Sequence, residues 1–385
     1  MIKYEKMNPG LEGFTHDSYN KVAYFSRRNR WATPFIVLGA IIFAICGGNP
    51  NSCFKESLKY VPEDKRHNKL YMLHLTCKMM YYRYAYEYTF DEYFYYNFDN
   101  IGRSSRLEFI SLYERSRIFG MLCHSDTLQR FKDKYNCYLE YQDYYKRDII
   151  KLNSPADLPV FSQFVKEHNR FIFKPNSSSC GKGVMLIDNT DNSINTMQQF
   201  KQLLSNGGGI IEEYVDQDKR MSVYHPNSVN TVRLTTFCSR DKYVILYAML
   251  RVGRNGSTVD NANSGGITCA VDLSNGRIVS DGFCENGDVY TSHPDTGIVF
   301  KDSVLPDWTE LKNMVKNMVA VIPEQKIIGW DLAYDKNKGW LVIEANSVPN
   351  ITAAQMCHQK GFRSLFAKTV LKEIPNGELY AEGRL

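Results

Sequence analysis

A chain of 385 residues, 43% hydrophobic and 23% charged, has the composition of two or three globular units and excludes the disordered and fibrous classes. Its net charge of +5 is spread along the sequence, with small knots at Arg27-Arg28-Asn29-Arg30 and Lys65-Arg66-His67, which argues against nucleic acid as a partner. Ten cysteines without a C-x-x-C pair or a Cys/His cluster spell neither a zinc site nor a disulfide framework, and they fit a reducing cytoplasm.

In chain order, the first element is apolar. Trp31 to Phe54 carries no charge, but its apolar core from Phe35 to Cys46 falls short of the roughly 20 residues that cross a bilayer. The expectation is a buried helix, with a monotopic element on the membrane surface as the alternative. Tyr81 to Phe98 is crowded with aromatics, which suits the packing face of a helical layer. Capping boxes pair an N-cap side chain with an acid three residues on; Thr89-Phe-Asp-Glu92, Ser105-Arg-Leu-Glu108 and Asp307-Trp-Thr-Glu310 fit that pattern as helix starts. Ser154-Pro-Ala-Asp157 adds a proline at the first helical position and predicts a helix to about Asn169.

The pattern then changes. Arg170 to Phe173 reads as a strand that delivers Lys174, and strands are expected at Val184–Asp188, Gly209–Val215, Thr231–Phe237, Tyr243–Leu250 and Gly339–Ala345, with one helix from Trp308 to about Val321. That is an α+β architecture preceded by a mainly helical region. The predicted boundaries are residues 1–125, 126–209 and 210–385.

Lys174-Pro-Asn-Ser-Ser-Ser-Cys-Gly-Lys-Gly-Val184 is a glycine-rich loop ending in Gly-Lys. It is not a P-loop, because Asn176 stands where the first glycine is required, Gly183 follows the lysine, and the next run is β-prone rather than helical. Cys180 reads as a small loop residue, with no neighbouring histidine to activate it as a nucleophile. Near the C-terminal end, Glu344-Ala-Asn346 places two oxygen-bearing side chains on one strand face, and a tight turn at Tyr334 to Lys338 brings Asp331 opposite them. Hard oxygen ligands of this kind suit Mg²⁺ beside a phosphate site.

Together these features resemble the ATP-grasp superfamily, and more closely its branch associated with sugar transfer and surface-polysaccharide biosynthesis, over roughly residues 126 to 366. The resemblance implies two α+β subdomains clasping ATP. Lys134 and Lys174 resemble its phosphate lysines, and Ser177, Ser178, Ser179, Gly181, Lys182 and Gly183 its flexible phosphate lid. Glu212, Glu213, Tyr214 and Val215 are similar to the adenine hinge, with Asp216 or Asp218 for the ribose. Asp331, Glu344 and Asn346 match the Mg²⁺ ligands. His225, Asn230 and Arg233, with Asp260 and Asn261, look like signatures of the polysaccharide-associated branch and are candidate substrate contacts. Many members carry an arginine two residues before the metal-binding aspartate; Gly329 stands there, so transition-state charge falls to Arg233, Arg251 or Lys182.

The implied cofactors are ATP and Mg²⁺. The implied reaction is carboxylate–amine ligation through an acylphosphate, forming an amide in capsule or exopolysaccharide biosynthesis from small sugar-linked carboxylate and amine partners. The alternatives are a kinase acting on a sugar or other hydroxyl, and a non-catalytic ATP-binding scaffold of a glycan assembly complex. A cytoplasmic location is expected, with peripheral contact at the inner membrane face through Phe35–Cys46.

Overall fold

The computed structural model describes residues 29–45, 55, 58–123, 125–176, 183–191, 194–239, 242–257, 260 and 265–382. The chain divides into two units. One comprises Met1–Cys123, Glu285–Val289 and Asn350–Leu385, and the other His124–Cys284 with Tyr290–Pro349. The sequence-based boundaries ran the last segment to residue 385, whereas residues 350–385 group with the N-terminal helices.

The first unit is helical. Helices α1 (Thr33–Ile45), α2 (Lys69–Tyr86) and α3 (Phe90–Tyr95) precede Arg103–Leu107 and Leu112–Leu122, and the chain returns with Thr352–His358 and Arg363–Lys368. The aromatic run forms the core, as its packing pattern predicts: Tyr82, Tyr88, Tyr93, Tyr96, Phe98 and Phe109 are buried in one cluster. Tyr96 and Phe109 stack at 4.3 Å between ring centres. The Tyr88 hydroxyl is satisfied, donating to the carbonyls of Arg106 and Phe109 at 2.9 and 2.8 Å. The α1 segment departs from the buried-helix expectation. Ile36, Val37 and Ile41 pack against the core, but Phe35, Leu38 and Ile42 lie exposed.

Thr89 caps α3 with both halves of its capping box formed, and Ser154 does the same for the turn before Leu158–Glu167. The other two expected boxes fail. Ser105 lies inside Arg103–Leu107, which Gly102 caps, and the Asp307 side chain makes no cap bond because it accepts from the Tyr334 hydroxyl instead.

The second unit holds two antiparallel sheets. Strands β1 (Ile149–Leu152), β2 (Arg170–Pro175), β3 (Met185–Asp188) and β4 (Gly209–Glu213) form the first, in the order β1-β4-β2-β3. Alternation sets its faces. Phe171 and Phe173 of β2 and Ile211 of β4 join Phe161, Phe164, Phe200 and Leu203 of the helices Leu158–Glu167 and Thr196–Ser205 in a dry core. That leaves Ile172, Lys174, Ile210 and Glu212 on the other face. Strands β5 (Thr231–Ser239), β6 (Lys242–Val252), β7 (Ile267–Val271), β8 (Gly282–Phe283), β9 (Ile327–Asp335) and β10 (Gly339–Asn346) belong to the second sheet, in the order β10-β9-β5-β6-β7-β8. Val232, Leu234, Leu250, Trp330 and Leu332 enter the larger core with the helix Trp308–Val319. Their sequence neighbours Thr231, Arg233, Arg251 and Asp331 are thereby placed on the opposite face.

Candidate active site

The polar faces of the two sheets line one cavity within the second unit. Its apolar walls include Phe131, Ile172, Val184, Ile210, Val215, Val229 and Ile343, and its charged ones Lys134, Lys174, Glu212, Glu213, Arg251, Asp260, Asp331 and Glu344. The apolar part suits a flat heterocycle, and the clustered lysines suit an anion.

Asp331 and Glu344 face each other directly across the β9–β10 pair. The register slips between Asp331 and Leu332, so that Ile343 is an extra residue on β10. Such a bulge re-aims side chains, and here consecutive residues Ile343, Glu344 and Ala345 all reach the cavity wall. The Asn346 amide nitrogen lies 3.5 Å from Asp331 Oδ2. The three expected metal ligands are therefore brought together.

Two arginines share the Asp331 carboxylate. Arg233, opposite it on β5, bonds through both Nε and Nη2, the latter at 2.6 Å, and Arg251 Nη1 lies at 2.7 Å. Burial raises the Asp331 carboxyl, but the two guanidinium groups outweigh it and hold it at about 2. Arg251 also reaches Asp260 at 3.3 Å, and Thr231 donates to the same carboxylate. By contrast, the Glu344 carboxylate has no hydrogen-bond or ion-pair partner among the described residues. An unengaged carboxylate beside a second acid and an amide oxygen is a donor set that fits Mg²⁺. Glu344 and Asn346 are the residues that would hold it, next to Asp331.

On the first sheet, Lys174 Nζ lies 2.8 Å from Glu212. Arg147 Nη2 meets the same carboxylate at 2.8 Å, and its Nη1 donates to the carbonyl of Val342. Burial pushes Glu212 up, yet Lys174 and Arg147 outweigh it and keep its carboxyl below the ordinary range. Lys134, first residue of the helix Lys134–Glu140 capped by Asp133, is lowered by burial, with Glu344 opposing and Lys174 adding to the shift.

The remaining candidates divide. Val215 and Glu213 line the cavity, and Glu213 is ion-paired to Lys338 at 2.6 Å. Tyr214 lies under the Arg170 guanidinium, 4.0 Å from its ring centre. Asp216 forms an exposed pair with Lys336, and Asp218 caps Lys219–Ser222, so neither reaches the cavity wall. His225 and Asn230 also sit elsewhere. His225 is buried against Ser228 at 2.8 Å, and the Asn230 amide is used by Met221, His225 and Gln217 in the same loop. Ser177, Ser178, Ser179, Gly181, Lys182 and Asn261 lie outside the described residues; Gly183 is described, with φ of 73°. Sequence reasoning missed Arg147, Phe131 and Thr231. Period-2 alternation from Arg233 marks Thr231, whereas Arg147 precedes its strand with no pattern to single it out.

Two antiparallel sheets enclosing a cavity with one strand-borne and one helix-borne lysine and a Glu-x-Asn pair beside an aspartate define the ATP-grasp class. Residues 147–371, more than half of the chain, match the model of the sugar-transfer associated ATP-grasp family, and the chain belongs to that family. No curated protein sequence matches it. Among solved structures, the chain is similar to N5-carboxyaminoimidazole synthetase from Staphylococcus aureus complexed with ADP, at 13% identity and a TM-score of 0.38, covering 63% of this chain and 50% of that one. D-alanyl-alanine synthetase A from Vibrio cholerae gives 11% identity, a TM-score of 0.40 and coverage of 66% and 64%. D-cycloserine synthetase DcsG gives 14%, 0.39, and 69% and 74%. The chain thus spans about half the length of the Staphylococcus aureus enzyme.

Proposed function

We propose that this protein is an ATP-dependent carboxylate–amine ligase that works through an acylphosphate and forms an amide on a cell-surface saccharide precursor. The observation that carries the reading is the pairing, in one cavity, of Lys134 and Lys174 with an unengaged Glu344 beside Asp331 and Asn346. The family assignment and the apolar wall that suits adenine support it.

In the proposed reaction a carboxylate oxygen attacks the γ-phosphorus of ATP, the bond to the bridging oxygen breaks and ADP leaves. An amine then attacks the acyl carbon, expels inorganic phosphate and loses a proton. Lys134 and Lys174 supply fixed positive charge to the phosphates, and Ile172, Ile210, Val215 and Ile343 exclude water from the base. Mg²⁺, held by Glu344 and Asn346 next to Asp331, would neutralise charge on the phosphate oxygens. Arg251, on the cavity wall, presents donors where charge develops on the transferred group, and Arg233, whose Nε and Nη2 are held by Asp331, adds positive charge behind that carboxylate. Because these groups are already oriented by Asp331 and Asp260, little reorganisation is needed at the moment of reaction.

The test is ADP release by the full chain, screened against amino acids paired with sugar acids and nucleotide sugars, with hydroxylamine present to trap the acylphosphate. The expected result is a hydroxamate for one carboxylate, and a loss of roughly 10²-fold or more in kcat for Glu344→Gln. A phosphorylated sugar formed without hydroxamate identifies a kinase instead. ATP binding with no turnover on any pair identifies a scaffold.

A further inference from the structure

The two basic knots of the sequence and the exposed part of its apolar segment have no place in the ligase site. Both lie in the helical unit. Trp31, in the 3₁₀ turn before α1, and Phe35, Leu38 and Ile42 follow one another at helical spacing, so they share a face. That face is open, with Trp31 and Phe35 each 69% exposed. On α2, which packs against α1, Leu70 is 80% exposed and Leu73 is exposed as well. The buried sides of both helices are already used by the core, through Ile36, Val37 and Ile41 of α1 and Leu75, Met79 and Met80 of α2.

Charge accompanies each row. Arg27-Arg28-Asn29-Arg30 precedes α1, and Lys65, Arg66 and Lys69 stand just before Leu70. Neither helix has an acid in its first turn. Lys69 opens α2, where a cation opposes the helix dipole, so helix stability does not account for it, whereas Arg66 also donates to the carbonyls of Val61 and Lys59 at 2.8 and 3.0 Å. Between residues 58 and 70 four cations face two acids, and Lys65, Arg66 and Lys69 are exposed. Among the described residues no helix is long and apolar enough to cross a membrane. Exposed aliphatic and aromatic rows beside excess cations match the surface of an anionic bilayer, where apolar side chains enter the acyl boundary and cations meet the headgroups.

We infer that the α1–α2 face docks the protein on an anionic lipid surface. This site is independent of the ligase reading. The test is co-sedimentation of the full chain with vesicles of phosphatidylcholine, and with vesicles in which a third of that lipid is replaced by phosphatidylglycerol. Binding to the second set alone, reduced by added salt, is the expected result. Phe35→Ser with Leu38→Ser should lower the partition coefficient roughly tenfold or more. Reversing Lys65 and Lys69 to Glu should lower it roughly tenfold or more. Since all four side chains are exposed, the thermal unfolding of both variants should match the parent. Failure to bind either vesicle overturns the inference, as does binding that neither variant weakens. A concentration-dependent dimer in the absence of lipid that Phe35→Ser dissolves assigns the face to a second copy of the chain, and also overturns it.

Discussion

Asp331 is gripped by two guanidinium groups, and the reason Arg233 can reach it lies two residues upstream on the same strand. A Cβ at Gly329 would stand 2.7 Å from Cβ of Pro349 and 3.4 Å from Cδ of Arg233. The space that a side chain would need is taken by proline on one side and by the arginine stem on the other. The arginine that many ATP-grasp ligases carry at this position therefore has no room here, and its charge arrives from the neighbouring strand β5. Two outcomes follow at the residue scale. Gly329→Ala overpacks the strand and should cost roughly 1–3 kcal/mol, read as a lower Tm. Arg233→Lys keeps the charge and loses the fork, so kcat for ADP release should fall roughly 10²-fold while KM for ATP changes little. A kcat equal to the parent's would remove Arg233 from the chemistry and leave it as an anchor for Asp331.

At the scale of elements, α3 shows how a helix start can carry a pH dependence. Its capping acid, Glu92, accepts from the backbone of Thr89 and Leu112 and from the Tyr96 hydroxyl. Burial pushes its carboxyl up to about 7, against the lowering effect of those three donors. Between the ordinary value of 4.5 and about 7, the folded chain holds a proton that the unfolded chain has released. Stability from this group is thus greatest below that window, falls as pH rises through it, and levels off above. The full difference is roughly 3 kcal/mol. Urea midpoints at about pH 5 and about pH 8 should differ less in Glu92→Gln than in the parent; equal slopes would assign the dependence to other groups. The same element shows what a sequence can and cannot declare. Thr89 and Glu92 are read correctly because both halves of the box are local. Ser105 and Glu108 have the same spacing, yet Glu108 accepts from the backbone of Ser364, a partner that no local window contains. The site divides in the same way. Lys174 is legible as the residue its strand delivers, Glu212 only through its resemblance to the adenine hinge, and Asp331 meets Glu344 because a short turn fixes their pairing. The bulge at Ile343 and the anchoring of Glu212 by Arg147 depend on long-range register, which spacing does not encode.

For the molecule as a whole, the order of segments matters. The chain builds most of the helical unit, leaves it at Cys123 for the second unit, contributes the short segment Glu285–Val289 on the way, and returns for good at Asn350. What receives the returning chain is polar and buried. Arg363 forms a two-bond pair with Glu114, the second bond at 2.7 Å, and donates to the carbonyls of Leu107, Phe109 and Tyr380. Gln355 meets both backbone groups of Ile110 at 2.9 Å. In a nearly dry setting, removing one member of an ion pair leaves its partner's charge uncompensated, while removing both leaves only unfilled acceptors and lost packing. Arg363→Met alone should cost roughly 3–5 kcal/mol. Glu114→Leu alone should be costly for the same reason, with the stranded guanidinium relieved in part by its three carbonyls. The double variant should cost well less than the sum of the two, with a coupling energy of roughly 2 kcal/mol measured by a double-mutant cycle in urea. Additive costs would mean that residues 350–385 are held by the apolar faces of their helices alone. Strong coupling would make this buried pair the clasp that fixes the returning chain in register.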